Sequence, residues 1–290
     1  MTEQEETAPV GFGSLFKSHA LSLTGTWLLV IVEASLAILF PLFIGIAIDD
    51  LLNDGFFGMY LLGGLALSAV FTGALRRYYD TRVYSAIYRK FVKEVVGSEH
   101  QKQSNISTVT ARTNMATEFV EFLENSLPEI INCLIGLLGT LILIGFLQIR
   151  SFFACLIATM LIAAIYTATS RWTFELNQGA NDEAEKRVDV LSTRNSSEIS
   201  KHFHAVTRWN IRLSDLETLT FSGSWIILIV LLLYSVYTTV QSGVSSHGNV
   251  LAILMYVFAY MESVIILPLF YQQLVRLREI SSRLAQPLAD

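Results

Sequence analysis

Six long apolar runs constrain the fold of this chain more than any other feature. They cover residues 21–48, 56–75, 127–147, 152–170, 221–240 and 250–270. A helix needs roughly 20 mostly apolar residues to cross about 30 Å of hydrocarbon. Hydrophobic residues make up 52% of the chain and charged residues 16%, which is too apolar a composition for a water-soluble globule. The sequence therefore predicts an all-α integral membrane protein with six transmembrane helices.

The positions of lysine and arginine orient these spans. Every basic residue except Arg150 lies before the first span, in residues 76–126, in residues 171–220, or after the sixth span. Because basic loops stay in the cytoplasm, this distribution predicts that both termini are cytoplasmic, in a plasma membrane such as the bacterial inner membrane. Anionic lipid headgroups account for a basic inner face, so nucleic acid is not expected as a partner.

Two predicted cytoplasmic segments, residues 76–126 and 171–220, are each about 50 residues long and contain no proline. In the first, apolar residues recur four apart at Val83, Ile87, Phe91 and Val95, a spacing typical of helix. The spans therefore continue as long helical hairpins.

We expect the hairpin turns within residues 97–107 and 191–205, formed either by a short transverse helix or by a plain loop. Residues 12–280 are expected to form one six-helix domain. A flexible cytoplasmic N-terminus (residues 1–11) would precede it, and a cytoplasmic tail (residues 281–290) would follow.

Several short strings resemble those of one transporter family. Residues 41–45 read PLFIG and residues 47–52 read AIDDLL; Arg82, Tyr84 and residues 88–91 form a basic and aromatic segment, and Glu198 lies near the second predicted turn. With six spans, short outer loops and two inner hairpins, residues 12–280 resemble the transmembrane domain of ABC exporters. The resemblance implies a homodimer whose twelve helices enclose a cavity that opens alternately to each side of the bilayer.

The chain departs from that family in lacking a motor. No phosphate-binding G-x-x-x-x-G-K-[ST] string occurs, and only 20 residues follow Phe270. We therefore expect no catalytic residues, no enzymatic activity and no cofactor. ATP hydrolysis, if it drives the protein, would come from a separate ATPase that docks at the two cytoplasmic turns.

Carboxylates inside the hydrocarbon are the candidate functional groups, because burying a charge there is costly. Glu33 lies near the middle of the first span, Glu262 near the middle of the sixth, and Glu129 near the start of the third. They are candidates for proton coupling, for cation binding or for lining a substrate cavity. Alternatively, such a glutamate bonds to a neighbouring Ser or Tyr, or faces water.

Glu118, Glu121 and Glu124 are spaced three residues apart, so they lie along one face of the third helix. This face is either solvated or an acidic ladder that leads from the cytoplasm toward Glu262. The proton-driven SbmA/BacA peptide-uptake family, which is similar to ABC transmembrane domains without an ATPase, illustrates such a ladder, although no motif is shared.

No metal site is expected. His202 and His204 form a local pair and His100 lies in the other hairpin, whereas a metal needs three or four convergent ligands.

Three functional hypotheses remain open. The leading one is a homodimeric transporter subunit that moves a peptide or an amphipathic small molecule and is driven by a proton gradient. The second is the transmembrane half of an ABC transporter that pairs with a separate ATPase. The third is a non-transporting receptor, immunity or assembly protein, for which a cavity filled with bulky side chains is expected.

Overall fold

The computed structural model describes residues 20–101, 105–242 and 246–285, and no strand occurs in this part of the chain. Its helices are α1 (Ala20–Leu52), α2 (Phe57–Gln101), α3 (Ile106–Leu147), α4 (Ile149–Glu185), α5 (Arg187–Ser192), α6 (Ser196–Gln241) and α7 (His247–Ala285). Six regions of these helices are long and apolar enough to cross a membrane. The predicted all-α fold with six spans is therefore confirmed. The predicted N-terminal segment 1–11 and the tail beyond residue 285 lie outside the described residues.

The helices are much longer than the spans they contain. α6 has 46 residues, or about 69 Å at 1.5 Å per residue, which exceeds twice the hydrocarbon thickness. α2 ends at Gln101 and α3 begins at Ile106, while α5 ends at Ser192 and α6 begins at Ser196. Both connections fall within the segments predicted to hold turns, so the two long helical hairpins are confirmed. The short helix α5 precedes the second turn; residues 102–104 of the first turn are outside the described part.

The described residues form two compact units, and the first contains α1, α2, most of α3, and α7. Its core lies largely on the parts of α2 and α3 that extend beyond the apolar spans, where the predicted stripe Val83, Ile87, Phe91 and Val95 is buried. Phe91 packs on Phe119 with ring centroids 5.7 Å apart. These contacts explain why the predicted cytoplasmic half of the hairpin remains helical, since amphipathic helices gain most of their stability from packing.

The second unit, Ile144–Gly243, contains α4, α5 and α6. Small polar residues such as Ser224 and Ser235 are fully buried in it, and they let helix backbones approach closely within a membrane. Near the predicted outer end, the Thr239 hydroxyl donates to Gln148 Oε1 at 2.5 Å. At the other end, His202 Nδ1 lies 3.0 Å from Glu183 Oε1. Polar contacts therefore tie α4 to α6 at both ends of the pair.

Two consecutive carboxylates at the C-terminal end of α1 cap two other helices. Asp49 accepts hydrogen bonds from the Ser246 hydroxyl and from the Gly248 backbone N–H, the latter at 2.8 Å. Asp50 accepts one from the Gly58 backbone N–H at 2.8 Å. A carboxylate at a helix N-terminus satisfies unpaired N–H groups and the helix dipole. The AIDDLL string thus joins α1 to the starts of α7 and α2.

Candidate functional site

The first unit holds an ionic network of three side chains from α1 and α2. Arg76 Nη1 lies 2.5 Å from Glu33 Oε2, and Arg76 Nε lies 3.1 Å from Asp80 Oδ2. We call Glu33, Arg76 and Asp80 the charge triad. Its one guanidinium is shared by two carboxylates, so the triad carries a net negative charge when all three groups are ionised.

The depth of the triad follows from the α1–α2 hairpin. Glu33 and Arg76 lie equally far along their helices from the turn that joins α1 to α2, a distance of about 28 Å at 1.5 Å per residue. The hydrocarbon is about 30 Å thick. The triad therefore lies nearly one hydrocarbon thickness from the α1–α2 turn, on the side predicted to face the cytoplasm.

Four buried polar atoms next to the triad have no hydrogen-bond partner within the described residues. They are Thr26 Oγ1, Trp27 Nε1, Asp80 Oδ1 and the Tyr84 hydroxyl. Thr26 interacts with Asp80, and Trp27 with Tyr84, but none of these contacts has good hydrogen-bond geometry. We call the four residues that carry these atoms the unpaired polar cluster. Asp80 belongs to it through Oδ1 and to the charge triad through Oδ2. Buried polar groups nearly always have a hydrogen-bond partner, which is often an ordered water.

α3 approaches the cluster through an irregular turn. Residues Phe122–Ser126 form a π-helical turn, and the Leu127 N–H donates to the Phe122 carbonyl. π-turns inside α-helices are frequent at functional sites. This turn carries Glu124, which is half-buried and whose charge acts on both Asp80 and Tyr84. A third helix thus brings a carboxylate near Asp80 and Tyr84.

The predicted acidic residues have different environments. Glu33 and Glu124 lie at the site just described, and Glu121 is exposed beside Glu124. Glu118 is half-buried on α3. Of the three ladder residues, Glu124 acts electrostatically on Asp80; a ladder that leads toward Glu262 stays a prediction.

Glu262 and Glu129 are separate from this site. Both side chains are exposed on the first unit, and neither belongs to the triad. Among the described residues, no group of three His, Cys, Asp or Glu side chains could hold a metal ion. The site described above consists of carboxylates, a guanidinium, two hydroxyls and an indole N–H.

Five residues of the site, Thr26, Trp27, Arg76, Asp80 and Tyr84, were not predicted as functional. The spacing of Arg76 and Asp80, four apart on one helix, is a signal for an ion pair at the end of the second span. Arg76 and Glu33 are 43 positions apart, and no pattern in a single sequence predicts that they pair. No sequence pattern predicts the π-turn either.

An apolar groove lies on the same unit, between α1 and α3. Its volume is about 410 Å³, and it is lined by Ser35, Ile38, Ile135, Leu138, Gly139, Ile142 and Leu143. Aliphatic side chains form nearly all of its wall. A groove of this chemistry accommodates alkyl or other apolar groups.

Comparison with known proteins identifies one family. The family model described as the ABC transporter transmembrane region matches residues 14–248. Comparison with curated proteins gives no match. The matched segment spans the first five predicted membrane crossings and includes both long helical hairpins and the residues of the charge triad.

Proposed function

This chain belongs to the family of ABC transporter transmembrane regions, and on that premise we propose that it is a proton-coupled transporter subunit. It works as a homodimer and moves a peptide or an amphipathic small molecule by alternating access. Both termini face the cytoplasm of a plasma membrane, the inner membrane in a bacterium. The protein has no catalytic step of its own.

The exposed carboxylate of Glu262 supports the homodimer. Glu262 lies near the middle of the predicted sixth span, and among the described residues no side chain pairs with it. A carboxylate directed at lipid is costly, so such groups face a water-filled cavity or a partner. In the proposed dimer, two copies of the chain enclose a cavity, and Glu262 lines it.

The charge and apolar surfaces of the first unit support the substrate class. Residues 113–147 carry Glu118, Glu121, Glu124 and Glu129 and no lysine or arginine. The apolar groove of about 410 Å³ lies on the same helix, toward its other end. A molecule with an apolar body and a cationic group, such as a basic amphipathic peptide, complements both surfaces.

The charge triad is the observation that carries the proposal of proton coupling. Two carboxylates share one guanidinium next to the apolar spans of α1 and α2, where ionised groups are expensive unless they are functional or fully paired. Protonation of one carboxylate frees Arg76 to bind the other alone. An exchange of this kind couples proton binding to the relative position of α1 and α2.

Reconstitution without any ATPase tests this function. Purified protein is placed in liposomes, a pH gradient is imposed, and accumulation of a panel of fluorescently labelled peptides is followed. We expect gradient-driven accumulation of basic amphipathic peptides that is abolished by Glu33→Gln. Glu185→Gln, which changes an exposed carboxylate in the second unit, is the matched control and should leave accumulation unchanged. Accumulation by Glu33→Gln at the wild-type rate would contradict proton coupling through the triad.

A second candidate function, the transmembrane half of an ABC transporter with a separate ATPase, is favoured by exposed apolar side chains beside the two inner turns. Ile106 begins α3, Val188 lies in α5, and Phe203 lies in the first two turns of α6; all three are exposed. Large contiguous apolar patches mark protein interaction sites, and an ATPase docked at these turns would cover these side chains. Under this function, liposomes show no flux under a pH gradient and gain ATP-dependent flux when a co-purifying ATPase is added.

A further inference from the structure

The unpaired polar cluster has a chemical composition that matches bound water. Trp27 Nε1 only donates, Asp80 Oδ1 only accepts, and the Thr26 and Tyr84 hydroxyls do both. Thr26 and Tyr84 are fully buried, and Asp80 is more than nine-tenths buried. Buried waters typically make about three hydrogen bonds to otherwise unsatisfied groups. One or two waters held among these residues would satisfy all four atoms.

The charges around Asp80 favour uptake of a proton. Arg76 faces it from its own helix, Glu33 from α1 and Glu124 from the π-turn of α3. Two carboxylates thus share one guanidinium, and the charge of a third, Glu124, acts on Asp80. Neighbouring like charges favour protonation of one of these carboxylates. Asp80 is the most buried of the three carboxylates, so its ionised form is the least hydrated.

The geometry also supplies a route to Asp80 from one side. Glu124 is half-buried, so part of its carboxylate reaches the predicted cytoplasmic water. Its charge acts on Tyr84 and Asp80. Asp80 is also paired with Arg76, which binds Glu33. The groups available for a path to Asp80 are therefore Glu124 and Tyr84, and Arg76 links Asp80 to Glu33.

We propose that Asp80 is a hydrated proton-binding site of this subunit and that Glu124 exchanges its proton with the cytoplasm. In the step, a proton leaves the Glu124 carboxyl and passes through the water held by Thr26, Trp27 and Tyr84. A new O–H bond forms at Asp80 Oδ1, and Glu124 becomes a carboxylate. Neutral Asp80 weakens its pair with Arg76, which keeps its pair with Glu33. The site is a property of the chain alone, whereas its use in transport rests on the proposed function.

An alkali cation is the competing occupant, because carboxylate and hydroxyl oxygens also bind sodium. The Trp27 indole N–H argues against it, since this group donates and does not coordinate a cation. The test therefore compares sodium with choline at constant pH and ionic strength.

Infrared spectroscopy of the whole protein in lipid nanodiscs tests the site without a substrate. The carbonyl stretch of protonated carboxyl groups is followed across a pH titration, and its exchange is followed after transfer to deuterated buffer. We expect Asp80→Asn to lose one protonated-carboxyl band that the control Glu185→Gln retains. Tyr84→Phe and Glu124→Gln should keep this band but exchange its proton several-fold more slowly, since they alter the path and not the acceptor.

Three results would overturn the proposal. The first is an unchanged band in Asp80→Asn, and the second is wild-type exchange in both Tyr84→Phe and Glu124→Gln. The third is a band that sodium removes and choline does not, which assigns the site to a cation. Tyr84→Phe and Glu124→Gln leave the ion pairs of Arg76 in place. Their proton-exchange rates therefore test the proposal even if Asp80→Asn does not fold. If Asp80→Asn loses the band and still shows gradient-driven flux, Asp80 binds a proton but does not take part in transport. If wild type shows the band but no gradient-driven flux, only the proposed function is contradicted.

Discussion

Replacing Arg76 with glutamine leaves the two carboxylates of the charge triad without their shared cation. Arg76 Nη1 binds Glu33 at 2.5 Å and Arg76 Nε binds Asp80 at 3.1 Å. Removing one partner of a buried ion pair leaves an uncompensated charge, which is more costly than losing the attraction itself. Arg76→Gln should therefore destabilise the folded protein strongly, although it changes a single side chain.

The exposures of the three side chains set the size of this effect. Breaking a fully buried pair costs about 3–5 kcal/mol. The side chains of Arg76 and Asp80 are 18% and 10% exposed, so Asp80 has little water to replace its partner. Glu33 is 34% exposed, and solvent screens it more effectively. We expect a loss of about 3 kcal/mol for Arg76→Gln, at the lower end of that range.

Reversible unfolding in mixed micelles with increasing SDS provides the measurement, followed by tryptophan fluorescence. The triple variant Glu33→Gln, Arg76→Gln, Asp80→Asn carries no charge at the triad and should recover most of the lost stability. A loss below about 1 kcal/mol for Arg76→Gln, which is the range of exposed pairs, would refute the assignment of a buried triad. A triple variant as unstable as Arg76→Gln would show that packing, and not charge, is responsible.

Two further predictions concern other parts of the chain. Gly248→Ala places a Cβ against the backbone carbonyl of Gly45, which cannot move aside, and should cost about 1–3 kcal/mol in SDS unfolding; Gly63→Ala, which meets no neighbour within 4 Å, should not destabilise the protein. Outside the spans, a hydrogen bond from Lys186 lowers the pKa of Glu183 from its ordinary value of 4.5. Because that pKa is lower in the folded state, the stabilisation is complete above pH 4.5 and is lost as pH falls through the folded-state pKa. The difference in thermal stability between wild type and Glu183→Gln should therefore shrink as the pH is lowered. A difference that grows as the pH is lowered would contradict the ion pair between Glu183 and Lys186.

Much of the fold could be predicted because the bilayer restricts the choices. Six apolar runs have few ways to satisfy their backbone groups other than as helices, and the stripe from Val83 to Val95 shows that the hairpin continues beyond the membrane. The structure buries all four residues of that stripe. Helix length and the positions of the turns therefore follow from local pattern and proline content.

The candidate site was predictable only in part. Glu33 stands out because a carboxylate within an apolar run is rare. Its partner Arg76 counted only as a positive charge that orients the second span, since pairing between α1 and α2 depends on the register of two helices. Tyr84 counted only as part of a basic and aromatic segment that resembles the exporter family. The π-turn at Phe122–Ser126 depends on tertiary contacts, and it brings Glu124 to the site in a way that ideal helical geometry does not predict.

Proton movement during peptide transport tests most directly whether the charge triad couples this subunit to an ion gradient. Liposomes that contain the protein and no ATPase are loaded with a pH-sensitive dye, and a basic amphipathic peptide is added outside without an initial pH gradient. We expect the peptide to change the internal pH with wild type and with Glu185→Gln, and to leave it unchanged with Glu33→Gln and Asp80→Asn. Peptide uptake that needs an added ATPase and moves no protons would contradict the proposed coupling.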